Sequence, residues 1–123
     1  MPPINKYKCN KCDLSFPVGW GGYMYVEDNN GKRIICPHPE EYSKIYEVLG
    51  YNASEELIAE RVGFNSHCLC LDCLHQFEAD IEKDERKCPR CISTSVKTLL
   101  ELVGTSCPKC KKGIIKEKCI GYS

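Results

Sequence analysis

Two Cys-x-x-Cys pairs, Cys70/Cys73 and Cys88/Cys91, stand fourteen residues apart in this chain. A tight turn of that form brings two sulfurs to the same side of the backbone. Two such turns supply four, the tetrahedral sulfur set that zinc prefers in structural sites. The competing explanation is a thiol–disulfide motif, which sits alone, ahead of a helix in a βαβ pattern. Residues 74–87 are charged and carry no such pattern. Two further pairs, Cys9/Cys12 and Cys107/Cys110, repeat the motif near the two ends of the sequence.

Composition gives these cysteines a structural task. The 123 residues are 42% hydrophobic, but that figure includes 11 cysteines. Without them apolar residues make up about a third of the chain, thin for a self-sufficient small core. Structural zinc contributes apparent folding free energy on the order of 10 kcal/mol per site. Zinc, at two to three ions per chain, is therefore expected to supply the missing stability. The opening Met1-Pro2-Pro3-Ile4-Asn5-Lys6 has neither the basic start nor the apolar run of an export signal. No stretch reaches the roughly 18 apolar residues of a membrane span. A cytoplasmic, reducing setting is the expectation, and it favours thiolate–metal chemistry over disulfides. The formal net charge is zero, which excludes a chain-wide basic field for nucleic acid. The charge is uneven, however: residues 39–64 are acidic and 92–123 basic. A local basic face built from the two termini is compatible with this distribution.

Four segments follow. Residues 1–38 read as a first ribbon, with a knuckle at Cys9/Cys12, a strand over 19–26, a turn at Asn29-Asn30-Gly31 and a return strand over 32–35. The return ends on Cys36-Pro37-His38. Cys36 and His38 are candidates to close a three-Cys, one-His site with Cys9 and Cys12, and a turn residue between two prolines is the plainer alternative for His38. Trp20, among glycines, is expected to pack over a metal site rather than to serve as a stacking platform. Residues 39–64 form a helical insertion. Pro39 opens a helix that Gly50 ends, with Tyr42, Ile45, Tyr46 and Leu49 on one face. Asn52 or Ser54 caps a second helix that stops at Gly63.

Residues 65–103 hold the central ribbon, and Ser95 to Val103 suit its third strand, with a short helix as the alternative. Phe77 follows Cys73 as Phe16 follows Cys12, a weak internal repeat. Residues 104–123 are a last knuckle at Cys107/Cys110, then a strand from Ile114 and Ile115. Spacing leaves three completions for this knuckle open. It can pair with Cys9/Cys12, nesting the termini around the central ribbon. It can take Cys119 with Cys68 or His67. It can pair with Cys88/Cys91, whose fifteen-residue separation is also ribbon-like. His75, just after Cys73, is expected to be a surface or supporting residue.

On these residues the chain resembles the zinc-ribbon, or rubredoxin-like, superfamily. The part from Cys70-Leu71-Asp72-Cys73 to Cys88-Pro89-Arg90-Cys91 is similar to the zinc domain of hydrogenase-maturation nickel chaperones. It is also similar to ribbons of transcription and ribosomal proteins, and to the rubredoxin domain of rubrerythrins. The resemblance implies a small metal-stabilised α+β fold of several zinc ribbons, with the two helices as an insertion. It also leaves iron as the alternative metal of the central site.

A non-catalytic scaffold for a macromolecular partner is the function expected. That partner is nucleic acid, met by Lys109, Lys111, Lys112, Lys116 and Lys118 with Trp20, Tyr23 or Tyr25, or else a protein complex met by the acidic helices. A rubredoxin-like electron carrier and a metal-delivery or sensing protein are the alternatives. Neither a membrane nor a small-molecule substrate is indicated. For catalysis, Glu27, Glu40 and Glu41 lie near the Cys36 segment but in no recognised motif.

Overall fold

The protein is described by a computed structural model covering residues 3–122. It is α+β, with three short helices, eight strands, and antiparallel pairing in every strand pair whose register is resolved. Among the described residues no helix is long and apolar enough to cross a membrane.

The chain divides into two compact units, residues 3–22 with 66–122, and residues 23–65. These boundaries differ from the four segments drawn from sequence. The reason lies in strand pairing: β1 (Pro3–Cys9) bonds along its whole length to β8 (Ile115–Tyr122), from Pro3↔Tyr122 to Cys9↔Ile115. This recruits the start of the chain to its end and leaves the hairpin after residue 22 with the helices.

In the first unit β1 is the middle strand of a sheet ordered β2-β1-β8, with β2 at Ser15–Gly19. Alternation along β1 buries Tyr7 and Cys9 and exposes Lys6 and Lys8, the period-2 pattern of a sheet with one wet face. A second group of strands is centred on β5 (Val62–Cys70), whose last residues pair with both β6 (Gln76–Ala79) and β7 (Val96–Thr98). The stretch expected as a strand to residue 103 turns helical at Leu99–Leu102, α3. Thr98 and Glu101 form a capping box there, each side chain bonding the other's backbone N–H, so local hydrogen bonding ends the strand. The core of the unit gathers Tyr7, Leu14, Phe16, Leu69, Leu99, Leu102 and Ile115, with Leu71 and Leu74 against them.

In the second unit β3 (Gly22–Glu27) and β4 (Arg33–Ile35) make the expected hairpin. Asp28 organises its turn, its carboxylate accepting from the backbone N–H groups of Asn30 and Lys32. Helix α1 spans Glu41–Leu49 and α2 spans Glu55–Arg61. Ser54 caps α2, accepting from Leu57 N–H at 3.1 Å, and the helix ends at Arg61, two residues before Gly63. Ile45, Val26 and Cys36 form the buried centre, with Leu49 and Ile58 packed on it. Tyr42 is 66% exposed, so only part of the predicted α1 stripe faces the core.

Candidate metal centres

The first unit contains two groups of four cysteines, Cys9/Cys12/Cys107/Cys110 and Cys70/Cys73/Cys88/Cys91, each with all its sulfurs within 4.8 Å of one another. Cross-pair separations are 3.7 Å for Cys9–Cys110 and 3.6 Å for Cys12–Cys107. In the second group they are 3.5 Å for Cys70–Cys91 and 3.6 Å for Cys73–Cys88. A metal bound by four sulfurs at about 2.3 Å sits in a tetrahedron with edges of about 3.8 Å. Both groups have that size, so each could hold one metal ion. All eleven cysteines are free thiols.

The two centres are built on one plan. In each, a middle strand ends on the first cysteine pair, a hairpin strand returns, and the strand after the second pair joins the other edge of the middle strand. The registers coincide. Phe16, four residues after Cys12, pairs with Tyr7, and Phe77, four residues after Cys73, pairs with Cys68. Ile115, five residues after Cys110, pairs with Cys9, and Val96, five residues after Cys91, pairs with Cys70. One copy of the plan lies within the chain of the other.

Local hydrogen bonds shape the turns. Leu74, Ile92 and Lys111, each directly after the second cysteine of a pair, have φ of 62°, 68° and 60°. Each donates its N–H to the carbonyl of the first cysteine, Cys70, Cys88 or Cys107. Further amides point at sulfur: Lys11 N–H to Cys9 at 3.3 Å, Arg90 N–H to Cys88 at 3.4 Å and Gly113 N–H to Cys110 at 3.4 Å. Such donors favour thiolate over thiol.

The titration pattern fits that geometry. Amides of Lys112 and Gly113 hold Cys110 down to about 6, and the amide of Cys73 holds Cys70 down to about 7. For Cys12 the Leu14 amide pulls down, but burial and the sulfurs of Cys9, Cys107 and Cys110 together push it up to about 12. Cys91 also stands at about 12: the Ser93 amide opposes the rise, while the sulfur of Cys70, burial and the sulfurs of Cys73 and Cys88 drive it. Four sulfurs this close therefore share protons. A bound cation would displace those protons and relieve the repulsion, so metal affinity falls as acid returns them.

Each pair is stitched to its partner. In the first centre Asn10 N–H donates to Ile114 O, and Ile114 N–H donates to the Asn10 side-chain oxygen at 2.9 Å. Gly113 passes so close that an added Cβ would lie 2.5 Å from the Cys9 sulfur. Lys109 bonds the Asp13 carboxylate. In the second centre Ser93 donates its hydroxyl to Asp72.

The remaining candidate ligands stand elsewhere. Cys9 and Cys12 are joined by Cys107 and Cys110, one of the completions the spacing allowed, and Cys36 and His38 belong to neither group. Cys36 is buried in the core of the second unit, where burial pushes its thiol up. His38 bonds Glu41 at 2.8 Å. Cys68 is buried, with its thiol donating to Ser66 O, and Cys119 is exposed. His75 stacks on Phe77. Tyr25 is fully buried with the Arg33 guanidinium 4.6 Å over its ring, so it offers no exposed stacking face. Gly113 carried no motif signal, and its role emerges only where the two cysteine turns meet.

No protein-family model matches the chain, and no curated protein or solved structure is similar to it at a significant level. Fold and sites define the class at a coarser level: a small α+β protein with two four-cysteine centres able to hold metal.

Proposed function

We propose that the chain is a two-zinc protein of zinc-ribbon type, in which both metals are structural and the fold serves as a non-catalytic scaffold for a macromolecular partner. The observation that carries this reading is the size of the two sulfur tetrahedra, with edges of 3.5–3.7 Å across the pairs. Four thiolates fill the coordination shell of zinc and leave no position for water or substrate. The shared plan of strands and cysteine turns supports the ribbon assignment in both copies.

Removal of metal from the reduced protein tests this directly. Chelation should abolish the far-ultraviolet signature of the sheets, and stoichiometric zinc should restore it. A fold that persists without metal would sink the structural role. A red protein that carries iron as purified would make it an electron carrier instead.

A further inference from the structure

We infer that the outer face of the β2-β1-β8 sheet is a binding surface for the phosphate backbone of nucleic acid; this rests on the scaffold reading above and names its partner. In β1 and β8 the register sets Lys6 directly opposite Lys118 and Lys8 directly opposite Lys116. All four are exposed, and with Lys11 they line a hollow of about 520 Å³ beside the Cys9/Cys12 turn. Among the described residues none of the five makes an ion pair.

Like charges facing each other across a strand pair are destabilising. Two such pairs stacked on one face therefore cost stability and call for an external anion. Neutralising the metal does not explain them. A zinc tetrathiolate carries a net charge of about −2, and the second centre supplies a control. Counted from the cysteine turns, the positions equivalent to Lys6, Lys8, Lys116 and Lys118 there are His67, Leu69, Lys97 and Leu99; both leucines are fully buried, Leu99 as the first residue of α3. In that copy two of the four positions are buried leucines and only Lys97 is lysine, whereas here all four are exposed lysines.

The chemistry of the hollow selects the ligand. Residues two apart on a strand are about 7 Å apart, and neighbouring strands about 4.8 Å, so the ammonium groups form a block suited to a chain of anions. Its lining is lysine, cysteine and asparagine, with neither an aromatic platform for bases nor an apolar pocket to anchor a peptide side chain. Binding is therefore to backbone and independent of sequence. Lys109, held by Asp13, lies outside the surface.

The test is fluorescence anisotropy with a labelled 20-nucleotide homopolymeric single strand, a 20-base-pair duplex and an oligoglutamate peptide. Each is measured at 50 and 200 mM salt, with zinc counted on the same samples. Each phosphate contact adds about 0.7 to the salt slope on a single strand and 0.9 on a duplex. Five contacts thus predict binding weaker by roughly 10²-fold on the single strand and about 5 × 10²-fold on the duplex across that range. The variant Lys6→Gln/Lys8→Gln/Lys116→Gln/Lys118→Gln should keep its zinc, bind at least 10-fold more weakly and lose about 3 from the slope. The milder Lys6→Gln/Lys118→Gln should lose about half of that, and Lys111→Gln/Lys112→Gln should change little. The stronger of the two nucleic-acid arms identifies the strandedness. The inference falls if zinc-loaded protein fails to bind either nucleic acid at 50 mM salt. It also falls if the quadruple variant binds unchanged, or if oligoglutamate binds as tightly as nucleic acid. Binding by a protein that holds no zinc would instead overturn the scaffold reading and leave the surface standing.

Discussion

The two four-cysteine centres share strand order, register and cysteine-turn geometry, yet they are closed by very different lengths of chain. Cys73 and Cys88 are 15 residues apart, whereas Cys12 and Cys107 are 95 apart. Loop closure costs about (3/2)RT ln n, so the long closure is harder by about 1.6 kcal/mol. The local centre is thus suited to form first and the other to lock the assembled unit. Packing points the same way. Leu69, Leu71 and Leu74, which flank Cys70 and Cys73, belong to the core that also holds Cys9, Cys107 and Ile115. The local centre carries apolar residues that the long-range centre needs, while its own smaller cluster is made of Cys68, Cys70, Cys88 and Val96 with Phe77. A metal turn can therefore act both as a site and as a piece of another site's core.

The sharpest single change aimed at one centre is Gly113→Ala. Its Cβ would meet the Cys9 sulfur at 2.5 Å, with the Asn10 side-chain oxygen and Lys11 Cβ at 2.8 Å. A sulfur fixed by metal cannot retreat, so overpacking should cost about 3 kcal/mol and expel that metal alone. Cobalt substitution, counting tetrathiolate bands, should read one centre instead of two.

A smaller effect of opposite sign is expected in the other centre. Ile92 holds φ 68° while its side chain is 65% exposed. A β-branched residue there is strained, and little packing would be lost on its removal. Ile92→Gly should stabilise the protein by about 1 kcal/mol in chemical denaturation at constant zinc.

The smallest effect concerns the tie between the local centre's loop and α3. Arg86 bonds the Glu101 carboxylate at 2.7 and 3.1 Å, and that pair, with the Thr98 amide, holds Glu101 down to about 2. The folded value lies below the ordinary 4.5, so the contribution is complete above that value and lost as pH falls toward 2. Both partners are partly exposed, so Glu101→Gln should cost less than about 1 kcal/mol at neutral pH. The difference from the parent protein should vanish in acid, as urea titrations at several pH values would show.

Sequence made the cysteine turns legible because their chemistry is local. The Cys-x-x-Cys spacing, the Asn29-Asn30-Gly31 turn and the helix over 41–49 each depend on neighbours in the chain. What spacing could not decide was which distant turn completes Cys9/Cys12, since any pair offers the same two sulfurs. The deciding interaction, β1 with β8, leaves only a faint trace: Lys-x-Lys-Cys occurs at residues 6–9 and again at 116–119. Cys36 looked like a ligand because a cysteine and a histidine two apart can chelate. It is instead a small buried side chain beside Val26 and Ile45, a role that spacing does not reveal.

The most direct test of the asymmetry is native mass spectrometry of the metal content of three proteins purified under reducing conditions: the wild type, Cys107→Ser/Cys110→Ser and Cys70→Ser/Cys73→Ser. Two zinc ions are expected in the first, one in the second, and none in the third, because loss of the local centre removes the core on which the long-range one is built. One zinc in both double variants would show that the centres fold independently. Fewer than two in the wild type would contradict the paired-site account altogether.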